Sequence, residues 1–433
     1  MIKEDQNSFV KKLYLSKLSK ESIIAILGIT SEYYNIFLYG YMAYIIIPNF
    51  FSFSSPLIIL SAIFLSYIIG PIGAIVCGHV GDTLGRKKIL AWTVAGIALS
   101  SFFISILPTY DQIGIIASIL FIALRSVQTL AFGGDMVGLV TFILEDTPKN
   151  KRGLFGGYMS MGAGLGVGLA SFFLFLLKPF NDSGLLWKWR ILLSLGLFGM
   201  IIAIYFAKSL GETATFRRYK ESRYISTWPF FDLLKDNKML LLKIIGITAL
   251  VPIITIVIYG YIPFLSVTHL HLSFKISMRD NFIALLIFAL GAPFFGYLSD
   301  KRGRKFVLFG VSLIFFFLGF PLFWFLNYVN KFIFFIVQLL FSLIASAYYG
   351  VTMTASVETF PTHIRYTGIA LGYYISYALF GGINGAFVEK FLIKHVFLEI
   401  SPVFYLLFGS FIVFISVCFL KEKACHKLSN NSL

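Results

Sequence analysis

Charge is scarce in this sequence. Asp, Glu, Lys and Arg make up 13% of its 433 residues, about half the share of a soluble globular chain, which is near 25%. Hydrophobic residues take 58%, aromatics 18%, and the mean hydropathy is +0.85, so a soluble fold is excluded and a multi-span membrane protein is predicted. Acid is the scarcer sign, 20 Asp and Glu against 36 Lys and Arg, for a net charge of +16. In a soluble chain that excess would suggest nucleic acid, but here the basic residues sit at the ends of apolar runs, where they set membrane orientation. Nucleic acid is therefore not an expected partner. Cysteine is nearly absent: Cys77, Cys418 and Cys425 lie in or beside spans near the predicted cytoplasmic side, without framework spacing, and read as reduced and structural. No nucleotide-binding Gly-Lys-Ser/Thr loop, zinc-binding His-Glu-x-x-His or nucleophile elbow occurs, so neither an enzyme nor an ATP-driven pump is expected, and no cofactor or metal. Lys3, Lys11, Lys12, Lys17 and Lys20 precede the first apolar run. That run is longer than a signal-peptide core and lacks a small-residue cleavage site, so it is a retained helix.

What the chain does have is long apolar runs. With about 20 residues per helical crossing, they place spans near 22–47, 57–79, 89–107, 113–143, 154–177, 190–209, 240–266, 281–299, 306–326, 332–357, 366–389 and 402–420. The predicted fold is an all-α membrane protein of twelve helices. Lys and Arg concentrate in the loops on the side of both termini, which puts the termini in the cytoplasm. Two of those loops are copies. Gly78-His79-Val80-Gly81-Asp82-Thr83-Leu84-Gly85-Arg86-Lys87-Lys88 shares the spacing of its Gly, Asp, Gly, Arg and Lys with Gly296-Tyr297-Leu298-Ser299-Asp300-Lys301-Arg302-Gly303-Arg304-Lys305. Glu145, Pro148 and Arg152 recur with unchanged internal spacing as Glu358, Pro361 and Arg365. The chain is thus predicted to be two parallel six-helix repeats about an axis along the membrane normal: a bundle over 1–209, a cytoplasmic linker over 210–239, a second bundle over 240–420 and a short cytoplasmic tail over 421–433. The polar stretch from Lys208 to Lys238, with Glu212, Arg217, Arg218, Lys220, Glu221, Arg223, Asp232 and Asp236, is the linker, and a central cavity is expected between the bundles.

Two groups of residues are candidates for function. In the paired loops, glycines permit close backbone approach, an Asp can sit at a helix N-terminus, and Arg86 and Arg304 are forked donors for carboxylates. Arg86 with Glu145, and Arg304 with Glu358, are expected to form cytoplasmic clasps that break when the protein opens inward, in a gate comprising Gly78, Asp82, Gly85, Arg86, Glu145, Arg152, Asp300, Gly303, Arg304, Glu358 and Arg365. The plainer alternative is that the loop charges, above all Lys87, Lys88, Lys301 and Lys305, only set topology. The second group lies inside spans, where an ionisable side chain costs about 2.5–3.5 kcal/mol on insertion scales and is normally paired or functional. Glu32 is near the middle of span one with Asn35 on nearly the same face, and Arg125 is near the middle of span four with Gln128 following. Arg125 is expected either to receive a substrate carboxylate or to pair with Glu32, and a static ion pair is the alternative. Asp135, roughly 15 Å further along an unbroken helix and turned about 80° from Arg125, reads as a deeper, separate site. The run Gly162, Ala163, Gly164, Gly166, Gly168 and Ala170 reads as helix packing. Tyr33, Tyr34, Tyr39, Tyr41 and Tyr44 are either packing groups or the lining of a cavity that meets a quaternary ammonium face-on. His79, His269 and His271 read as incidental.

The Gly-x-x-x-Asp-x-x-Gly-Arg-Lys loops resemble the signature of the major facilitator superfamily. Further stretches resemble its metabolite:proton symporter family, which includes the bacterial proline/betaine transporters: Glu32-Tyr33-Tyr34-Asn35 with Tyr39-Gly40, Pro71-Ile72-Gly73-Ala74, Leu107-Pro108-Thr109-Tyr110-Asp111 with Ile113-Gly114-Ile115, Arg125 with Gln128 and Gly133-Gly134, Trp189-Arg190, Glu212-Thr213, and Phe360-Pro361-Thr362-His363-Ile364-Arg365-Tyr366. The resemblance implies two six-helix bundles, alternating access and proton-driven uptake of a small zwitterion or an organic acid in a bacterial inner membrane. The implied partners are a small solute, protons and the lipid bilayer, with the chain acting as a monomer. Four positions depart from the family pattern: Asn35 for Asp, Gly70 for Arg, Asp135 for Glu and Thr129 for Gly. Asn35 cannot titrate, so proton coupling would rest on Glu32 or Asp135, and a proton-independent uniporter or exchanger is the competing reading. A non-transporting membrane sensor is the reading of another class. The short tail lacks the coiled-coil segment of some osmosensing relatives, so osmotic regulation through it is not expected.

Overall fold

The computed structural model describes residues 20–51, 56–176, 185–209, 211–221, 228–326, 330–382, 401–424 and 426, and among these it is helical throughout, with no strand. Lys3, Lys11, Lys12, Lys17, Arg223, Cys425 and the end of the eleventh predicted span lie outside the described residues, as does the side chain of Tyr44. The first half comprises α1 (Lys20–Ile46), α2 (Pro56–Thr83), α3 (Arg86–Ile106), α4 (Ile115–Asp146), α5 (Arg152–Leu176) and α6 (185–209). The second comprises α7 (Lys238–Thr268), α8 (Phe274–Arg302), α9 (Arg304–Phe325), α10 (Lys331–Thr359), α11 (Arg365–Tyr377, continued by a wide turn at Ala378–Gly382) and α12 (Ser401–Cys418). Two short amphipathic helices, Ala214–Glu221 and Pro229–Asp236, occupy the linker. In hydrocarbon every backbone polar group must be satisfied within its own segment, so apolar runs of this length can only be helices. Side chains such as Trp92, Phe317 and Phe332 are largely exposed on their outer faces, which is the expected position for groups that meet lipid.

Ten of the predicted spans coincide with described helices, and so does the described part of the eleventh. The fourth differs, because α4 is two helical segments, Ile115–Phe132 and Asp135–Asp146, separated at Gly133-Gly134. The glycines are there for contact: a Cβ on Gly133 would lie 2.6 Å from the Ala74 amide nitrogen of α2, and one on Gly134 would overlap Cys77. The separation and rotation expected between Arg125 and Asp135 assumed an unbroken helix, and the break removes that premise.

The seam between the halves is made chiefly by α5 against α8 and α2 against α11. The glycine run of α5 explains the first pair. Gly162 and Gly166 press on the α1 backbone at Ile26 and Thr30, while Gly153, Gly157, Gly164 and Gly168 face α8. One helix thus presents a glycine face to each of two neighbours, which is the packing role expected of it. A Cβ on Gly157 would meet the Pro293 Cα at 2.6 Å, a backbone atom that cannot step aside. Gly157→Val is expected to cost about 1–3 kcal/mol, as overpacking does, read as a lower Tm in detergent. An unchanged Tm would contradict this close approach of α5 and α8.

Candidate functional site

On the face that carries the two copied loops, the α2–α3 and α8–α9 turns are built alike. Gly85 and Gly303 have φ of 120° and 97°, a region that side chains strain to adopt, and each lets its chain turn sharply from Asp into the next helix. Asp82, at the end of α2, accepts hydrogen bonds from the Tyr366 and Thr367 amides at 3.2 and 2.8 Å. Those are first-turn amides of α11, so a buried carboxylate of one half meets the N-terminus of a helix in the other. Asp300, at the end of α8, accepts from the Gly153 and Leu154 amides of α5 at 2.8 and 2.9 Å. Gly153 and Leu154 are the counterparts of Tyr366 and Thr367 in the same register that pairs Glu145 with Glu358. The whole cross-seam contact is duplicated with the sequence.

The arginines complete each turn. Arg86 is 3.0 Å from Asp82 and 3.4 Å from Glu145, donates to the Gly81 carbonyl and reaches Thr362 O across the seam at 3.1 Å. Arg304 is 2.8 Å from Asp300 and holds Glu358 by two bonds of 3.1 Å. The expected pairs, Arg86 with Glu145 and Arg304 with Glu358, are therefore formed, but each lies within one half and cannot by itself hold the halves together. That task falls to the aspartates on helix N-termini and to two further arginines. Arg365 of α11 reaches Glu145 at 2.8 Å, and Arg152 of α5 stands 3.9 Å from Glu358. Each cluster then contains two carboxylates and two guanidiniums, nearly all fully buried. Matched charge is what makes such burial tolerable.

Sequence reasoning missed the acids that cap α3 and α9. Glu212 accepts from the Lys87 amide at 3.2 Å, and burial pushes this carboxyl above its ordinary pKa. Glu422 accepts from the Arg304 and Lys305 amides at 3.2 and 2.9 Å. The available signal was position, since each acid follows the last helix of its half. Thr213 was noted only in the Glu212-Thr213 stretch, and its hydroxyl donates to Glu145 at 2.8 Å.

Within the membrane the structure separates what the sequence left open. Glu32 and Asp135 face each other in a small space lined by Gly28, Ser31, Val94, Ile97 and Ala98. Asp135 is thus no separate site, because the break in α4 and the crossing of α1 bring it to Glu32. Thr93 donates to Asp135 Oδ1 at 2.8 Å, whereas neither oxygen of Glu32 has a donor. Asn35 turns away: its amide donates to Ser31 O at 2.8 Å and its side chain packs on Gly196 of α6. Arg125 does not pair with Glu32. Its guanidinium lies 3.7 Å over the Tyr39 ring and donates to Gln128, whose own amide donates to Ser101 at 2.7 Å. Among the described residues no carboxylate lies within ion-pair distance of Arg125.

The tyrosines of α1 divide by face. Tyr34 and Tyr39 stay inside the first half, whereas Tyr33 and Tyr41 cross the seam. The Tyr33 and Tyr373 hydroxyls are 3.3 Å apart, the Tyr373 and Tyr377 rings meet at a tilt with centroids 4.9 Å apart, and Tyr41 donates to Tyr259 O at 3.0 Å. Phe132 packs on both Tyr33 and Tyr374. His79 stacks on Trp228 of the linker, and no role beyond packing attaches to it.

The profile of the Major Facilitator Superfamily matches residues 23–386. The glycine betaine/proline/ectoine/pipecolic acid transporter of Dickeya dadantii is 30% identical over 430 residues, covering 94% of this chain and 84% of that protein. The proline/betaine transporter of Escherichia coli is 28% identical over 424 residues, with coverage of 94% and 84%. A putative proline/betaine transporter of Staphylococcus haemolyticus is 30% identical over 427 residues, with coverage of 94% and 89%. Among solved structures, the proton:xylose symporter XylE superposes with a TM-score of 0.75 at 15% identity over 95% of this chain and 98% of that one. The human organic anion transporter MFSD10 gives 0.70 at 13% identity, over 92% and 98%. These structural likenesses speak for the fold alone.

Removing one partner of a buried ion pair costs about 3–5 kcal/mol, so Arg365→Ala is expected to loosen the seam on this face. Cys77 lies buried beneath it. With Cys418 and Cys425 replaced by serine, alkylation of Cys77 by a water-soluble maleimide should accelerate about tenfold or more. An unchanged rate would show that the Arg365–Glu145 contact does not hold the seam shut.

Proposed function

The chain belongs to the Major Facilitator Superfamily, and from that premise we propose that it is a proton-coupled importer of a small zwitterion of the proline/betaine type, working by alternating access in a bacterial inner membrane. A secondary transporter of a small solute follows from the family and from relatives named as transporters. The chain is a transporter and not an enzyme. The finer reading rests on one observation: the ionisable groups inside the first bundle are sorted by sign. Arg125 has no carboxylate partner among the described residues, while Glu32 and Asp135 face each other with no cation beside them among the described residues. A guanidinium kept from anions at membrane depth is a receptor for an anion that the protein does not supply, and the solute carboxylate fits that place. Two buried carboxyls that face each other without a cation are tolerated only when at least one is protonated, which in this reading makes the pair the proton carrier and gives Asn35 no part in it.

The other end of a zwitterion is a cation, and at membrane depth the seam offers it the rings of Tyr33, Tyr373, Tyr374 and Tyr377, whose faces attract a methylated ammonium. In this reading Arg125 orients the carboxylate, the tyrosines of the second half close on the cation, and the two Asp–helix contacts release once solute and proton are both aboard. The excess of Lys and Arg on the copied-loop side supports a cytoplasmic location for that face and for both termini.

Uptake of labelled glycine betaine, proline, 2-oxoglutarate, citrate and shikimate into proteoliposomes at two pH values tests the substrate class. Accumulation of a zwitterion, larger at acidic outside pH, is expected; accumulation of the organic acids alone would overturn the reading. Arg125→Gln should reduce uptake at least about a hundredfold while leaving the protein inserted, the scale of a lost charge-assisted bidentate contact in a dry site. Wild-type uptake in that variant would refute the role of Arg125. In Glu32→Gln, proton-driven accumulation should fail while solute counterflow persists, and counterflow that survives a protonophore in the wild type, without pH-driven accumulation, would instead mark a uniporter or exchanger.

A further inference from the structure

We propose that Tyr366 of the second half is the positioning residue that ties the gate on the copied-loop face to the Glu32–Asp135 pair of the first half, so that opening the gate and exposing the pair are one movement. The proposal deepens the proton-coupling reading above and rests on it.

Tyr366 is fully buried and is held at both ends by the other half. Its amide donates to Asp82 at 3.2 Å, as part of the gate. Its hydroxyl donates to the Gly134 carbonyl at 2.7 Å, at the break in α4, one residue before Asp135. That carbonyl already takes the Gly138 amide at 2.9 Å, so the phenol supplies a second donor at the break. Between these ends the ring fills a socket of three glycines. A Cβ on Gly81 would lie 2.6 Å from a ring carbon, one on Gly134 would lie 3.1 Å from the hydroxyl, and one on Gly138 would overlap it. A socket of glycines in one half that admits one side chain of the other is a fitted joint.

The joint exists once, although the gate is duplicated. In the register that pairs Arg365 with Arg152, the counterpart of Tyr366 is Gly153, which has no side chain to insert. The counterparts of Gly134 and Asp135 are Ala347 and Tyr348, in the unbroken helix α10. The helix break, the acidic pair and the tyrosine therefore occur together, in the copy that carries the ionisable chemistry. Duplication explains the gate contacts, but it leaves this added strut unexplained unless the strut serves the acidic pair.

The consequence follows from connectivity. Asp82 cannot leave the Tyr366 and Thr367 amides unless α11 moves from α2, and that movement withdraws the ring from its socket and the hydroxyl from Gly134. The groups facing Asp135 are Glu32 from α1, Cys77 from α2, Thr93 from α3, and Tyr366 and Tyr374 from α11. None is a cation. With the ring gone, the emptied socket beside Cys77 leads from the copied-loop face to Asp135, and the proton leaves to that side. With the ring in place, the pair is sealed from it.

Tyr366→Phe tests this, since it keeps the ring and removes only the hydroxyl. Dicyclohexylcarbodiimide modifies protonated buried carboxyls, and its reaction with Glu32 and Asp135 in proteoliposomes, read by mass spectrometry between about pH 5 and 9, needs no solute. The wild type should react in a pH-dependent way. Tyr366→Phe should react about fivefold faster where the wild type is protonated, the factor that one neutral hydrogen bond carries. Gly138→Ala, which displaces the hydroxyl from the first-half side, should give the same change and guards against a defect peculiar to the tyrosine variant. If the wild-type reaction does not depend on pH, the proton reading fails. If it does and both variants superimpose on it, the assignment of Tyr366 fails while the proton reading stands.

Discussion

A carboxylate of one half set on the first-turn amides of a helix in the other is the contact on which the rest of the structure depends. Asp82 on α11 and Asp300 on α5 each join the halves at a point where no side chain of the receiving helix need be charged. A helix N-terminus offers amides and a dipole that favour negative charge, so the contact is strong when seated and leaves little behind when broken. The receiving amides return to water and the carboxylate keeps its own arginine at close range. For the alternating access proposed above, such a contact serves a seam better than interlocked apolar surface would. The neutral clusters around it, two acids and two arginines on each side, let these charges be buried without leaving one unmatched.

Deeper in the first half the opposite rule holds. Arg125, Glu32 and Asp135 are not balanced against one another, although a static protein would pair them. The guanidinium rests on an aromatic face and a glutamine amide, and the two carboxyls face each other in one small space. In the proposed reading Arg125 receives the carboxylate of the solute and the carboxyl pair carries the proton, the two species that a symporter of carboxylate-bearing solutes takes up.

Much of the copied-loop face was legible in the sequence because it is written twice. The repeated spacings identified Asp82, Arg86, Glu145 and their counterparts before any contact was seen, and the arginine–glutamate pairs are where that repetition led. Which half each residue reaches was not legible, since Asp82 and Arg365 act on partners 284 and 220 positions away. The meeting of Asp135 with Glu32 was hidden by treating α4 as one helix. Gly133-Gly134 was visible, but only packing against α2 shows that the pair breaks the helix and turns the acid toward α1. Tyr366 stood within a stretch noted for its resemblance to a family, yet its role depends on glycines of the other half that carry no chemical signal of their own. Glu422 escaped notice because nothing local marks a surface acid as a helix cap until its helix is in place.

A proton travelling with a net-neutral solute moves charge across the membrane, and a current reports that most directly. Proteoliposomes adsorbed on a solid-supported membrane, given a jump in glycine betaine or proline with no pH gradient, should pass a transient current of positive charge in the direction of the solute. The current should persist in salt solutions of any monovalent cation and vanish in Glu32→Gln. Solute uptake by the wild-type protein without any such current would show that the carboxyl pair carries no proton with the solute and would contradict the central claim.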